Sequence, residues 1–437
     1  MKKFAFIGAG SLQFTTSCLR DLLSFDSFKD CEVRLMDVKP EHLEYMDKIC
    51  NKIKDAMGCP DCKIITTTDR AEALKDADGV LCTVFNGDVD VWRHEIEIPM
   101  KYGVDINVGD TRSVAGIFRA LRNIPLLLDI CKDIETYCPN AVFLNYTNPM
   151  AMLCNAMQKY SNVEVTGLCH SVQGTIEMIA GWLDIPMDEI DYLCKGVNHQ
   201  AFYTRLEHKG EDLYPRLREY LKEEENFDKE QVRNEMFLKL GYYVTESSGH
   251  NSEYNQWFRK RPDLIEKYCT KETNWNPGHH AFSLNMRLKR KENWRDQYEE
   301  FLAKDVDTKK SHEYAADIFN ARLGDGKPFV FNGNVINHGS IPNLPYDCCV
   351  EVPVVADRMG FKTTMAGELP AHLAILVNTT ARIENLVVEA AMKKSKELVY
   401  QAVYMDPLSS AVCSLDEIKN MCDEIFEKNQ EFLGDYK

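Results

Sequence analysis

A cysteine and a histidine set 30 residues apart are the pair best suited to chemistry in this chain of 437 residues. Cys169 stands in Gly167-Leu168-Cys169-His170-Ser171-Val172, and His199 closes Gly196-Val197-Asn198-His199. A thiolate and an imidazole together can anchor a divalent metal, and two protein ligands leave positions open for substrate oxygens. The same residue types also serve without any metal. A cysteine at a strand end packs as a small apolar side chain, and a histidine caps a turn.

A second constellation opens the chain. Gly8-Ala9-Gly10-Ser11 follows a short apolar run and begins a helix-length segment, where glycines let the backbone approach a pyrophosphate seated on the helix N-terminus. The third position of the dinucleotide fingerprint is residue 13, which is Gln13, so the motif is incomplete. Asp37, 27 residues past Gly10, ends a second apolar run. A carboxylate there accepts both hydroxyls of an adenosine ribose and repels a 2′-phosphate, which favours NAD over NADP. The alternative is a surface aspartate that merely ends a strand.

Other patterns carry less. Cys59-Pro60-Asp61-Cys62 has redox spacing but sits in a loop and has no second cysteine pair for zinc. Cys348-Cys349 and His279-His280 are adjacent pairs whose side chains diverge. No Gly-x-Ser-x-Gly elbow and no phosphate-loop Gly-Lys-Ser/Thr is present, which disfavours serine hydrolases and nucleoside triphosphatases.

The elements that must hold these residues can be read from periodicity. Strand-like runs at Lys3 to Ile7, Glu32 to Met36, Lys63 to Thr67, Gly79 to Val84, Ala141 to Asn145 and Glu164 to Leu168 alternate with helix-length segments. Among those segments are Leu12 to Leu23, His42 to Met57 and Gly116 to Tyr137. This is the rhythm of an α/β, doubly wound, Rossmann-type parallel sheet. After about Asp191 the rhythm changes to longer helices, scattered strands and a charged stretch from Lys222 to Glu230. The expectation is an NAD-binding domain over 1–190 and an α+β domain for substrate and oligomerisation over 191–437.

With 52 basic and 68 acidic side chains the formal charge is 52 − 68 = −16. That argues against nucleic acid or an anionic membrane as a partner. No apolar run approaches the roughly 20 residues needed to cross a bilayer. The start, Met1-Lys2-Lys3-Phe4, runs directly into a strand-like segment, so the expected location is cytoplasmic. There the 16 cysteines should be mostly reduced and buried.

These pieces together resemble a known family. Phe6 to Ser11, Leu144-Asn145-Tyr146-Thr147-Asn148-Pro149-Met150, Gly167 to Val172 and Val197-Asn198-His199 look like the NAD- and manganese-dependent glycosidases of glycoside hydrolase family 4. The match extends through Thr245 to Tyr254, Asn343-Leu344-Pro345, Val350 to Pro353 and Met405-Asp406-Pro407, nearly the whole chain. Cys-His-Ser-Val after the second glycine-bearing strand resembles the α-galactosidase branch. The resemblance implies a lactate/malate dehydrogenase-like architecture, NAD and Mn2+ as cofactors, a small sugar substrate, and a homodimer or homotetramer.

It also implies a mechanism outside the two-carboxylate pattern of most glycosidases. The hydride on sugar C3 passes to NAD+, the C2 proton becomes acidic and is removed, the glycosidic oxygen leaves, water adds, and the hydride returns. Carried onto this sequence, Cys169 and His199 are metal ligands, with Cys169 as thiolate, so that its oxidation should abolish activity. His170 takes the general-acid position, Asn148 holds a sugar hydroxyl, and Asp110 faces the sugar. Gly8, Gly10, Ser11 and Asp37 hold the cofactor, and His250 and Tyr254 are the candidates for the C2 base.

One departure stands out. Where the family commonly has a glycine-rich turn after the aspartate, this chain has Thr111-Arg112-Ser113-Val114-Ala115-Gly116. Arg112 could meet a substrate carboxylate bidentately, the NAD pyrophosphate, or a partner subunit. The expected activity is therefore an α-galactosidase, with an α-galacturonidase, α-glucuronidase or α-glucosidase as the family alternatives. From other classes, a 2-hydroxyacid dehydrogenase and a nucleotide-binding regulatory protein share the architecture.

Overall fold

A computed structural model describes residues 1–271, 276 and 278–437. The first half alternates as its periodicity predicts. Strands β1 (Lys3–Ile7), β2 (Glu32–Met36), β3 (Lys63–Thr67), β4 (Gly79–Cys82), β5 (Val142–Asn145) and β6 (Val165–Leu168) are all parallel. They are linked through helices α1 (Leu12–Leu23), α2 (Pro40–Ala56), α3 (Arg70–Leu74), α4 (Asp88–Lys101), α5 (Ser113–Tyr137) and α6 (Met150–Tyr160), with α7 (Ser171–Leu183) after β6. Their order, β3-β2-β1-β4-β5-β6, is that of a dinucleotide-binding sheet, and the carboxyl ends of β1, β4, β5 and β6 share one edge. β2 and β4 are buried at every position, as a strand covered on both faces must be.

The sheet does not stop at β6. It continues antiparallel through β10 (Phe329–Ile336) and β11 (Cys349–Asp357) to the hairpin β7 (Ile190–Val197) and β8 (Gln200–His208), with the short β9 (Glu211–Asp212) and β12 (Gly360–Thr363) at its margins. One hydrogen-bonded row crosses four of these strands at Gly167, Asn334, Glu351 and Gly196. Cys169 and His199 follow the two glycines of that row by two and three residues. The later part of the chain thus continues the same sheet, as the absence of any linker-like stretch in the sequence leads one to expect.

Apolar cores fill both faces. Helix α5 is the central post, buried without a break from Ser113 to Ile124. Within that stretch Arg122 meets Glu95 through two bonds of 2.8 and 3.2 Å, with both side chains fully buried. All sixteen cysteines are free, and fifteen are buried. None of the described helices is long and apolar enough to cross a membrane.

Candidate active site

The site grows from the carboxyl edge. After β1 the chain turns at Gly8 with φ +87, and a Cβ there would meet the Thr83 carbonyl at 2.8 Å, so only glycine fits beside the end of β4. Ser11 caps α1 with an extended backbone and no side-chain capping bond. Asp37 stands where the sequence predicts, at the end of β2. Its Oδ2 accepts the Gly10 amide at 2.9 Å and its Oδ1 accepts the Lys39 amide at 3.0 Å. Each carboxylate oxygen retains a second lone pair, so Asp37 both shapes the turn and keeps acceptor capacity for a ribose. Tyr298, from a later helix, donates to the Gly10 carbonyl.

After β5, the Asn148–Pro149 peptide is cis, and the Asn148 carbonyl accepts from Arg119 Nε and Asn123 Nδ2, both at 3.2 Å. This pins the Asn148 backbone from α5, while its side-chain Oδ1 has no partner among the described residues. After β6, Cys169 is buried and His170 keeps 56% of its side chain accessible. His170 Nδ1 lies 3.6 Å from Glu313 Oε1, and that neighbour raises the imidazole above its ordinary value although burial works the other way.

His199 occupies the second position of the two-residue turn Asn198–His199 between β7 and β8, in the left-handed region at φ +61. Such a backbone is uncommon for histidine and persists only where surroundings hold it. Asn198 is fixed from both ends, its carbonyl by Arg112 Nη2 and its amide by Glu351 at 3.4 Å. The ring reaches Cys169, with Nε2 to Sγ at 3.2 Å. Burial lowers the His199 imidazole to about 4, which keeps it neutral as a metal ligand must be.

Helix Ser248–Tyr254 completes the cluster. His250 Nδ1 meets Ser247 Oγ at 2.7 Å and Glu246 Oε1 at 3.2 Å, and its Nε2 lies 3.7 Å from Asp110 Oδ1. The Tyr254 hydroxyl lies 3.3 Å from His199 Nδ1, and burial pushes the phenol well up. Cys169, His199, His250, Tyr254 and Asp110 therefore converge from four separate stretches of chain. Asp110 is raised by burial, but His250, His199 and Arg119 outweigh that and hold it below its ordinary value.

Arg112 lies buried against Tyr254, with its Nε and Nη1 unpartnered among the described residues. Its side chain is 6% accessible, its Nη2 lies 3.3 Å from Glu384 Oε1, and its guanidinium stacks 4.8 Å from the Tyr254 ring centroid. The turn it belongs to tolerates its bulk because Gly116 remains glycine: a Cβ there would meet the Thr111 carbonyl carbon at 2.4 Å. Cys59 and Cys62 lie at the opposite edge of the sheet, where Cys62 Sγ is 3.8 Å from Cys31 Sγ.

Several site residues escape sequence reasoning. Thr111 Oγ1 donates to Asp110 Oδ1 at 2.7 Å and lies 3.1 Å from His199 Nδ1. Glu253, fully buried, accepts the Asn107, Val108 and Gly109 amides at 2.8 to 2.9 Å and so shapes the loop that presents Asp110. Arg119, 4% exposed, stacks on Phe85 and Trp92, and burial lowers it to about 9. Glu246 and Glu253 lie inside the Thr245 to Tyr254 motif, where acids stood in view without a signal of which way they point.

The donor set suits a divalent ion. Two groups of ligand atoms lie within 4.8 Å of one another, Cys169–His199–Glu246 and Asp110–His199–His250, and they mix sulfur, imidazole and carboxylate as transition-metal sites do. The β1–α1 turn suits a dinucleotide, with room made by Gly8 and an acid at Asp37.

Comparison with known proteins agrees. Residues 3–185 match the model of the family 4 glycosyl hydrolases, and residues 194–409 match that of the family 4 C-terminal domain. The chain is 38% identical to an alpha-galactosidase of Bacillus subtilis (strain 168), covering 100% of both chains. It is 36% identical to an alpha-galactosidase of Rhizobium meliloti (strain 1021), covering 99% of this chain and 89% of that one. Its fold superimposes on a 6-phospho-alpha-glucosidase from gut microorganisms, solved in complex with NAD and Mn2+, with a TM-score of 0.83, 20% identity and full coverage of both chains. A nucleotide turn, a thiol–imidazole pair and two matching domain models over most of the chain lead to one assignment: this chain belongs to glycosyl hydrolase family 4.

Proposed function

We propose that this glycoside hydrolase cleaves α-galactosides with the help of NAD and Mn2+. The observation that carries the reading is the Cys169–His199 contact of 3.2 Å beside Asn148 and Asp110, on a chain 38% identical to an alpha-galactosidase over its full length. Cys169 and His199 would hold the ion, and Gly8, Gly10, Ser11 and Asp37 the dinucleotide. When bound, the dinucleotide supplies a hydride acceptor for sugar C3 and the ion a Lewis acid for the C2 and C3 oxygens.

The remaining work falls to side chains. Asn148 Oδ1, without a partner among the described residues, accepts a hydrogen bond from a sugar hydroxyl, and Asp110 accepts another. His250, or Tyr254 once ionised beside the Arg112 guanidinium, takes the C2 proton as the C1–oxygen bond breaks, and His170 delivers a proton to the departing oxygen. The Glu313 carboxylate favours the protonated form of the His170 imidazole. Water then adds at C1, and the same groups return their protons in reverse. The burial of Cys169, His199, His250 and Tyr254 keeps bulk water from the reacting carbons.

An α-galacturonide is the second reading. Arg119 Nη1 is buried with no hydrogen-bond partner, and neither Arg119 nor Arg287, which shares the Phe85 ring with it, has a carboxylate within ion-pair distance among the described residues. These two guanidiniums, which share the Asp110 charge and of which Arg119 also bonds the Asn148 carbonyl, suit an anionic sugar substituent.

The deciding experiment is a panel of aryl α-galactoside, α-glucoside, α-galacturonide and α-glucuronide with NAD+, Mn2+ and reductant. The galactoside should turn over fastest, without net NADH, and deuterium at C2 should slow it or wash out. Cleavage that survives chelation and removal of NAD would sink the proposal.

A further inference from the structure

We propose that Glu246 is a third protein ligand of the divalent ion, so that Cys169, His199 and Glu246 form one coordinating face. The inference rests on the reading that this chain binds such an ion.

Two ligand groups share His199, and its two ring nitrogens separate them. Nδ1 faces Thr111 Oγ1 at 3.1 Å and the Tyr254 hydroxyl at 3.3 Å. Nε2 faces Cys169 Sγ at 3.2 Å and Glu246 Oε2 at 3.4 Å. Two hydroxyls thus occupy Nδ1, and Nε2 is the ring nitrogen that faces the sulfur and the carboxylate. The ion therefore belongs on the Cys169 and Glu246 side, and Asp110 connects to it only through Thr111 and the far side of the ring.

The separations also fit one ion. Donors about 2.2 Å from a common metal lie about 3.1 Å apart when their bonds are at right angles and about 3.6 Å apart in a tetrahedron. The contacts of 3.2 and 3.4 Å fall between these edges. Charge supports the same count, since a thiolate and a carboxylate together neutralise a divalent cation in a site where an unbalanced charge would be expensive. Glu246 is held there in a left-handed backbone at φ +69, with its other oxygen 3.2 Å from His250 Nδ1. Such a conformation is uncommon for glutamate and marks a residue held in place by its surroundings.

The test uses the full chain freed of metal, NAD and sugar. Binding of Mn2+ is followed by the electron paramagnetic resonance of the free ion, and Co2+ is added as a reporter whose visible bands read the donor set. Glu246→Gln should weaken Mn2+ by at least about 100-fold, beyond the 10- to 100-fold typical of an outer-shell change, and should alter the Co2+ bands. Glu246→Asp should bind with intermediate affinity. Circular dichroism and thermal midpoints establish that each variant folds, and Glu246→Asp carries the comparison if Glu246→Gln does not. Wild-type affinity and an unchanged Co2+ spectrum in a folded variant would overturn the proposal. Failure of the wild-type chain to bind either ion would instead overturn the metal-dependent reading beneath it.

Discussion

The Thr111 hydroxyl lies 3.1 Å from His199 Nδ1 and 2.7 Å from Asp110 Oδ1, so a three-residue chain of hydrogen bonds reaches from the start of α5 to the β7–β8 turn. Outer-shell partners of this kind fix the ring orientation and tautomer of a ligating histidine. Thr111→Val should lower Mn2+ affinity about 10- to 100-fold, and Thr111→Ser should keep most of it. Calorimetric titration of the metal-free protein checks this, and equal affinities for Val and Ser variants would contradict it.

Arg112 and Glu384 form a buried pair across 272 residues of sequence. Removing the guanidinium alone leaves Glu384, 4% accessible and already raised by burial to about 7, without its cation; its carboxyl can then protonate, so the loss should fall below the about 3–5 kcal/mol of breaking a fully ionised buried pair. Arg112→Leu should lower the urea midpoint accordingly, while Arg112→Leu with Glu384→Leu should recover more than half of the loss. A double variant no more stable than the single one would show that Arg112 supports the fold chiefly through Tyr254 and Asn198.

Asp406 caps the helix Pro407–Val412, and burial raises its carboxyl from 3.8 to about 6. A folded-state value above the unfolded one means that the neutral form suits the native protein. Its contribution is present below about pH 4 and is lost as pH rises through about 6. Asparagine caps about as well and never ionises. Asp406→Asn should therefore match the wild type near pH 4 and be more stable at pH 8, by up to about 3 kcal/mol. Melting curves across that range read the difference, and a variant less stable at pH 8 would refute the assignment.

His170, positioned by Glu313 and open to the cleft, predicts a leaving-group effect. A general acid contributes about 10²- to 10⁴-fold where the departing oxygen needs its proton. His170→Asn should lose that much on alkyl α-galactosides and far less on nitrophenyl ones. Rates that fall equally for both would remove His170 from the acid role.

Much of this protein was legible in its sequence because it rests on local pattern. Strand and helix periods determined the α/β class, and the order strand, glycine turn, helix, strand, acid placed Gly8, Gly10 and Asp37 together at one end of the sheet. The boundaries hold closely, with Leu12–Leu23 the same in both readings and the other helices displaced by a few residues. The Cys169–His199 pair was visible too, because each member ends a short motif at a strand end or turn.

What tertiary structure alone decided is which polar side chains face which. Arg112, which the sequence left open between a substrate carboxylate, the NAD pyrophosphate and a partner subunit, meets Glu384 on a helix 272 residues away and the Asn198 carbonyl. Glu246 reaches His199 through a left-handed backbone that no propensity foretells. The second domain expected from 191 onward shares the first domain's sheet, because β10 pairs antiparallel with β6. Each of these depends on contacts between residues far apart in sequence, and periodicity carries no information about such partners.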